Sequence, residues 1–267
     1  MLSAILITLF LWWFSTGIIL FAVNRAGRIK DGYQGLVVFS VPLLALAVFG
    51  VVWSGRVSDL THVYIGFVSA LGVWGWIEMA FLTGVITGPD RRPCPEGAGW
   101  FERFGRALRA ISHHETALVL AMATLIILSG PAENSVGLYT FAVLFFARIS
   151  AKLNLFLGVP NINVEFLPAP IKHLESYFNV ATMNRFFPVS VSLLTFAVGC
   201  FVERALAHDA DQIASTGFVL LATLTALALI EHWFMVIRLP DAALWRWLIT
   251  ERKPRGPKAR QDLTPQG

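Results

Sequence analysis

VYIGFVSALGVWGWIEMAFLTGVI, residues 63–86, contains one acidic residue, Glu78, and no basic one. As an α-helix, a run of this length crosses the roughly 30 Å of hydrocarbon in a bilayer. A carboxylate inside such a run is costly when it faces lipid, so it marks a face turned toward the bundle interior. Two other long apolar runs share the property: Leu138–Leu157 holds Arg148, and Gly217–Ile237 holds Glu231. What these three groups pair with or bind is the central question the sequence poses.

The rest of the chain has the same character. Of its 267 residues, 56% are hydrophobic and 14% charged, whereas soluble domains carry about 25% charged residues. Seven spans are expected, over Ala4–Val23, Gly35–Trp53, Val63–Ile86, Thr116–Gly130, Leu138–Leu157, Phe187–Val202 and Gly217–Ile237. Short loops between them favour one bundle in which sequence neighbours pack together. The expected architecture is therefore all-α, a polytopic seven-helix membrane bundle over residues 1–250. It would carry loops at 87–115 and 158–186, a Trp-rich interfacial helix near 241–250 and a solvated basic tail at 251–267.

Every Lys and Arg except Arg56 and Arg204 falls on one side of this arrangement. Basic loops stay in the cytoplasm, which places the N-terminus outside and the C-terminus inside. The net charge of +4 follows from that topology and calls for no nucleic acid. The tail bases can also meet anionic lipid heads. The first span lacks a basic leader and is followed directly by arginines, so it reads as a span and not a cleaved signal. Cys94 and Cys200 fall on opposite faces, too far apart for a disulfide.

Counted along their helices, Glu78, Arg148 and Glu231 lie roughly 9 to 14 Å below the cytoplasmic interface. His113, His114 and Glu115 stand at the start of the fourth span, with Lys152 and Asn154 in the fifth. His232 follows Glu231, about 100° around the helix. The polar cluster expected at this level is Glu78, Arg148, Asn154, Glu231 and His232.

Three readings are open. The first is a structural ion-pair cluster, with one glutamate protonated by burial. The second is a site for a metal-bearing or tetrapyrrole ligand. The third is a catalytic metal centre drawn from Glu78, His114, Glu115, His173, Glu231 and His232, ligands suited to iron, manganese or zinc. The spacing lacks both the Glu-x-x-His pair of di-iron bundles and the HExxH helix. Retinal chemistry is excluded because the last span has no lysine, and no symmetric broken-helix repeat points to a carrier.

The densest stretch is KLNLFLGVPNINVEFLPAPIKHLESYFNVATMNRFFP, residues 152–188, a long apolar connection with little periodicity. Connections of that kind are usually functional or act as lids. Its motifs, KLNLFLGVPN at 152–161, EFLP at 165–168 and MNRFFP at 183–188, resemble the PuhE family, photosynthetic complex assembly protein 2 of anoxygenic phototrophs. HHE at 113–115 and EHWFMVIRLPDAALWRW at 231–247 extend the resemblance to Trp247. It implies an assembly factor for the photosynthetic reaction centre and its core light-harvesting complex, resident in the bacterial inner membrane. The partners implied are reaction-centre and light-harvesting subunits or pigment-synthesis enzymes, and the cofactor implied is bacteriochlorophyll or a precursor. The alternative is a metal-dependent membrane oxidoreductase acting on a tetrapyrrole, with iron at the Glu/His cluster.

Overall fold

A computed structural model describes residues 1–164, 167–208 and 210–237. Its helices are α1 (Leu2–Ala26), α2 (Gly32–Phe39), α3 (Val41–Ser54), α4 (Leu60–Leu82), α5 (Trp100–Ser129), α6 (Val136–Leu157), α7 (Phe187–Leu206) and α8 (Gln212–Phe234). A 3₁₀ helix covers Ala169–Tyr177. Taking α2 and α3 as one interrupted rod, seven helices are long and apolar enough to cross a membrane. The chain is thus built as a multi-pass helical bundle. The interfacial helix expected near 241–250, the tail 251–267 and Glu165 lie outside the described residues.

Local chemistry sets the boundaries. Asp59 and Asp211 start α4 and α8 by accepting the backbone N–H of His62 at 2.8 Å and of Ala214 at 2.7 Å, which satisfies donors a helix start leaves open. Pro42 and Pro188 occupy first turns of α3 and α7, where a missing N–H costs nothing. The second span breaks at Ser40 just ahead of Pro42. There the Ser40 hydroxyl donates to the Val37 carbonyl and accepts from the Trp76 indole at 3.0 Å, tying the break to α4.

The core lies on α4 and α8, whose membrane windows are 50% and 61% buried against 11% for α1. Val63 and Phe67 of α4 pack with Leu220 and Leu224 of α8. On another face Ala70, Val73 and Ile77 meet Leu118 and Leu125 of α5 and Phe141 of α6. Backbones of two spanning helices approach closely where α4 crosses α6. A Cβ on Gly137 would lie 3.0 Å from the Gly66 carbonyl oxygen, the small-residue contact that lets membrane helices come together. Leu6, Phe10, Phe14 and Phe21 of α1 face outward, as suits a lipid-facing rod.

The largest departure from expectation is α5. It starts at Trp100 and not near Thr116, so His113–Glu115 sit within a helix and not at its start. Hydropathy misses this portion because Arg103, Arg106 and Arg109 fall in it. Helix propensity for Arg is high, and its apolar residues recur on one face.

At the arginine-rich end, an asparagine network joins α6 to α7. Asn154, fully buried, donates to the Ser190 hydroxyl at 2.9 Å and accepts from Asn184 at 3.1 Å. Asn184 also donates to the Gly158 carbonyl and accepts the N–H groups of Phe186 and Phe187 at the start of α7. Gly158 has φ 130°, a backbone state closed to ordinary L-residues. Asn184→Ala removes a capping acceptor, at about 1 kcal/mol, and unpairs the buried Asn154 oxygen, at about 1–3 kcal/mol. The expected outcome is a clear fall in the melting temperature of the purified protein. Unaltered melting would mean the network is dispensable.

Candidate functional site

Among the described residues, the two cations within α6, Arg148 and Lys152, each have their own carboxylate. Glu78 of α4 is 8% exposed and its Oε2 accepts from an Arg148 Nη of α6 at 2.6 Å. One turn on, the Lys152 ammonium donates to Glu115 of α5. Paired in this way, neither cation carries the penalty of about 2.5–3.5 kcal/mol attached to a lone charge at the centre of a membrane helix. The spacing of Arg148 and Lys152, one helical turn apart on the same face, makes the double pairing possible.

His114, fully buried, completes the layer. Its Nε2 lies 3.6 Å from Glu78 Oε1, and its ring packs on Phe81 with centroids 4.2 Å apart. At that distance there is no hydrogen bond, and both ring nitrogens and Glu78 Oε1 have no hydrogen-bond partner among the described residues. His114 is held in place through its backbone, whose N–H donates to the Thr87 carbonyl at 3.0 Å. The loop carrying Thr87 presses hard on α5, since a Cβ on Gly88 would meet the Arg109 carbonyl oxygen at 2.0 Å.

Glu231 and His232 point to different partners, as consecutive helix positions must. Glu231 accepts the indole N–H of Trp12 in α1 at 2.8 Å. His232 is buried between the Ala228 carbonyl, 2.8 Å from Nδ1, and the Ser150 hydroxyl, 2.9 Å from Nε2. A carbonyl only accepts, so Nδ1 carries the proton and, in the neutral ring, Nε2 accepts from Ser150. His173 lies in the 3₁₀ helix, where burial, and then the nearby Arg91, push its pKa below the usual histidine value.

Of the expected metal ligands, then, Glu78 and His114 are neighbours, while Glu115, His173, Glu231 and His232 each have separate contacts. Among the described residues no group of three or more His, Cys, Asp or Glu side chains is placed to hold a metal ion. Of the expected polar cluster, Glu78 and Arg148 are joined directly, and Asn154 belongs to the network that anchors α7.

Beside the ion pairs lies a cavity of about 490 Å³, with Arg148, Lys152 and Glu231 as its charged lining. That volume is in the range of small-molecule sites, about 300–1,000 Å³. One wall is the extended part of α5: Phe104, Ala107, Leu108 and Ile111. Their i, i+3, i+4, i+7 spacing is the signature of an apolar helix face, and it was available in the sequence to mark the helix start. The Trp12 contact had no such signal, because nothing local distinguishes it among the tryptophans of the chain.

The long connection folds over this cavity, contributing Ile162, Leu167 and Ile171. Arg103 latches it, donating to the carbonyls of Phe156 at 2.6 Å and Tyr177 at 2.9 Å with its guanidinium 4.2 Å above the Phe156 ring. The Tyr177 hydroxyl donates to the Arg92 carbonyl. Arg92 in turn donates to Asp90, and these hydrogen bonds lower the Asp90 carboxyl to about 2. Asp90 therefore stays ionised at any physiological pH, and this clasp is insensitive to proton concentration near neutrality.

Fold and site together define a multi-pass helical membrane protein with a largely apolar cavity whose lining cations, Arg148 and Lys152, are paired with carboxylates. The chain belongs to the family described as "Protein of unknown function (DUF3623)", which matches residues 1–256. It is 50% identical over 245 residues to an uncharacterized 30.4 kDa protein in the puhA 5′ region of Rhodobacter capsulatus, covering 91% of this chain and 89% of that one. No solved structure matches it.

Proposed function

We propose that this protein is an integral membrane factor for assembly of the photosynthetic reaction centre and its core light-harvesting complex, acting through bacteriochlorophyll or a precursor. The observation that carries the reading is the half-identical relative whose name sets it beside puhA. It agrees with the PuhE resemblance of the 152–188 connection, which implies a place among photosynthesis genes. The cavity adds a physical means. Apolar walls would take a pigment body, and charged groups at one end would fix its orientation.

In this reading the arginine-rich end faces the cytoplasm, which the distribution of bases supports, and the membrane is the bacterial inner membrane. Reaction-centre or light-harvesting subunits, or pigment-synthesis enzymes, would be met on that side. Deleting the gene is expected to lower assembled core complexes several-fold, read from their near-infrared absorbance in isolated membranes, with recovery on re-expression. Wild-type complex levels in the deletion strain would sink the reading.

A further inference from the structure

We infer that the cavity selects a molecule with an apolar body and a free carboxylate, binding the acid in preference to its ester through Arg148 and Lys152. The inference rests on the pigment reading above only for the source of the ligand. The chemistry of the head group comes from the cavity itself.

The argument is an account of donors. A guanidinium carries more N–H groups than one carboxylate oxygen uses, and among the described residues Arg148 gives a single hydrogen bond, to Glu78. Its Nε is buried with no hydrogen-bond partner among the described residues, yet its side chain is 37% exposed and lines the cavity. Lys152 likewise lines the cavity while giving one hydrogen bond among the described residues, to Glu115. The counter-ions Glu78 and Glu115 are not part of the lining, so they balance charge from behind without occupying the open side of either cation.

Glu231, which also lines the cavity, already accepts from Trp12. Among the described residues, donors therefore outnumber acceptors at this end, and an unsatisfied buried donor costs about 1–3 kcal/mol. An oxyanion supplies the missing acceptors and forms charge-assisted bonds roughly twice as strong as neutral ones. An ester carbonyl supplies less and brings an alkoxy group to the same spot. The remaining walls are largely apolar, with Phe104, Leu108 and Ile162 among them, and among the described residues their polar side chains, Asn161 and Asn163 included, are neutral. With no second cation there, the ligand's one carboxylate belongs at the Arg148 and Lys152 end.

A pigment acid and a membrane fatty acid share this chemistry. The test measures binding to the purified full-length chain in nanodiscs, using a chlorin monocarboxylic acid and a long-chain fatty acid, each beside its methyl ester. At least one acid should bind about tenfold or more tighter than its ester. In Arg148→Gln the ratio should fall toward one. Ala107→Phe, which fills the cavity and leaves both ion pairs in place, should abolish binding of either form.

Equal affinities of acid and ester for the wild type, or undiminished binding in Ala107→Phe, would overturn the inference even if Arg148→Gln fails to fold. Selective binding of the chlorin acid supports the inference and the pigment source together. Selective binding of the fatty acid alone supports the carboxylate site and removes the pigment from it. A deletion strain with normal core complexes, alongside intact acid selectivity, would fail the assembly role and leave this inference standing.

Discussion

Arg148→Met is expected to lower the unfolding midpoint of the purified protein sharply, and adding Glu78→Gln to the same chain should restore most of the loss. The single change leaves a buried carboxylate beside His114 with no cation on it. Breaking a buried pair costs about 3–5 kcal/mol. This pair belongs near 3 kcal/mol, because Arg148 is partly open to the cavity and its removal admits some relaxation. The double variant removes both charges, and neutral replacement of a buried pair is often close to neutral in stability. Thermal unfolding of the single and double variants in detergent decides the matter. If both fall equally, packing around Arg148 and not the ion pair is responsible.

Gly88→Ala should be comparably damaging for a purely steric reason. The added Cβ would lie 2.0 Å from the Arg109 carbonyl oxygen and 2.6 Å from the Ala110 carbonyl carbon, both helix backbone atoms that cannot swing aside. The loop must lift from α5, breaking the Thr87–His114 hydrogen bond and opening the contact at fully buried Ala110. Overpacking costs about 1–3 kcal/mol and the lost bond about 1 kcal/mol more. Gly105→Ala is the control. It lies in α5 with nothing within 4 Å of its Cβ, and there alanine should stabilise by up to about 1 kcal/mol. A melt in which both variants behave alike would refute the steric account.

The spans were legible because twenty apolar residues in a row have one structural outcome. Depth counting along each span also brought Glu78 and Arg148 to one level, and the structure joins them. Which glutamate the arginine meets was not legible, since helix order and rotation about each axis come from packing of α4 against α6 and α8. The start of α5 was obscured for a different reason. Arg103, Arg106 and Arg109 depress hydropathy, yet the Phe104–Ile111 spacing encodes the helix face that walls the cavity. Trp12 as the partner of Glu231 lay beyond reach, because that contact spans nearly the whole chain and depends on α1 docking against α8.

The two ion pairs also have a direction in time. Glu78 and Glu115 belong to helices made before α6, which brings Arg148 and Lys152. Chains emerge from the ribosome N-terminal end first, so acids are already in the bilayer when the cationic helix arrives. An isolated α6 would meet the full cost of two bases in hydrocarbon, whereas beside α4 and α5 it finds waiting counter-charges. Insertion of the fifth span is thereby coupled to the success of the third and fourth, and a truncated or misordered nascent chain would stall at that step.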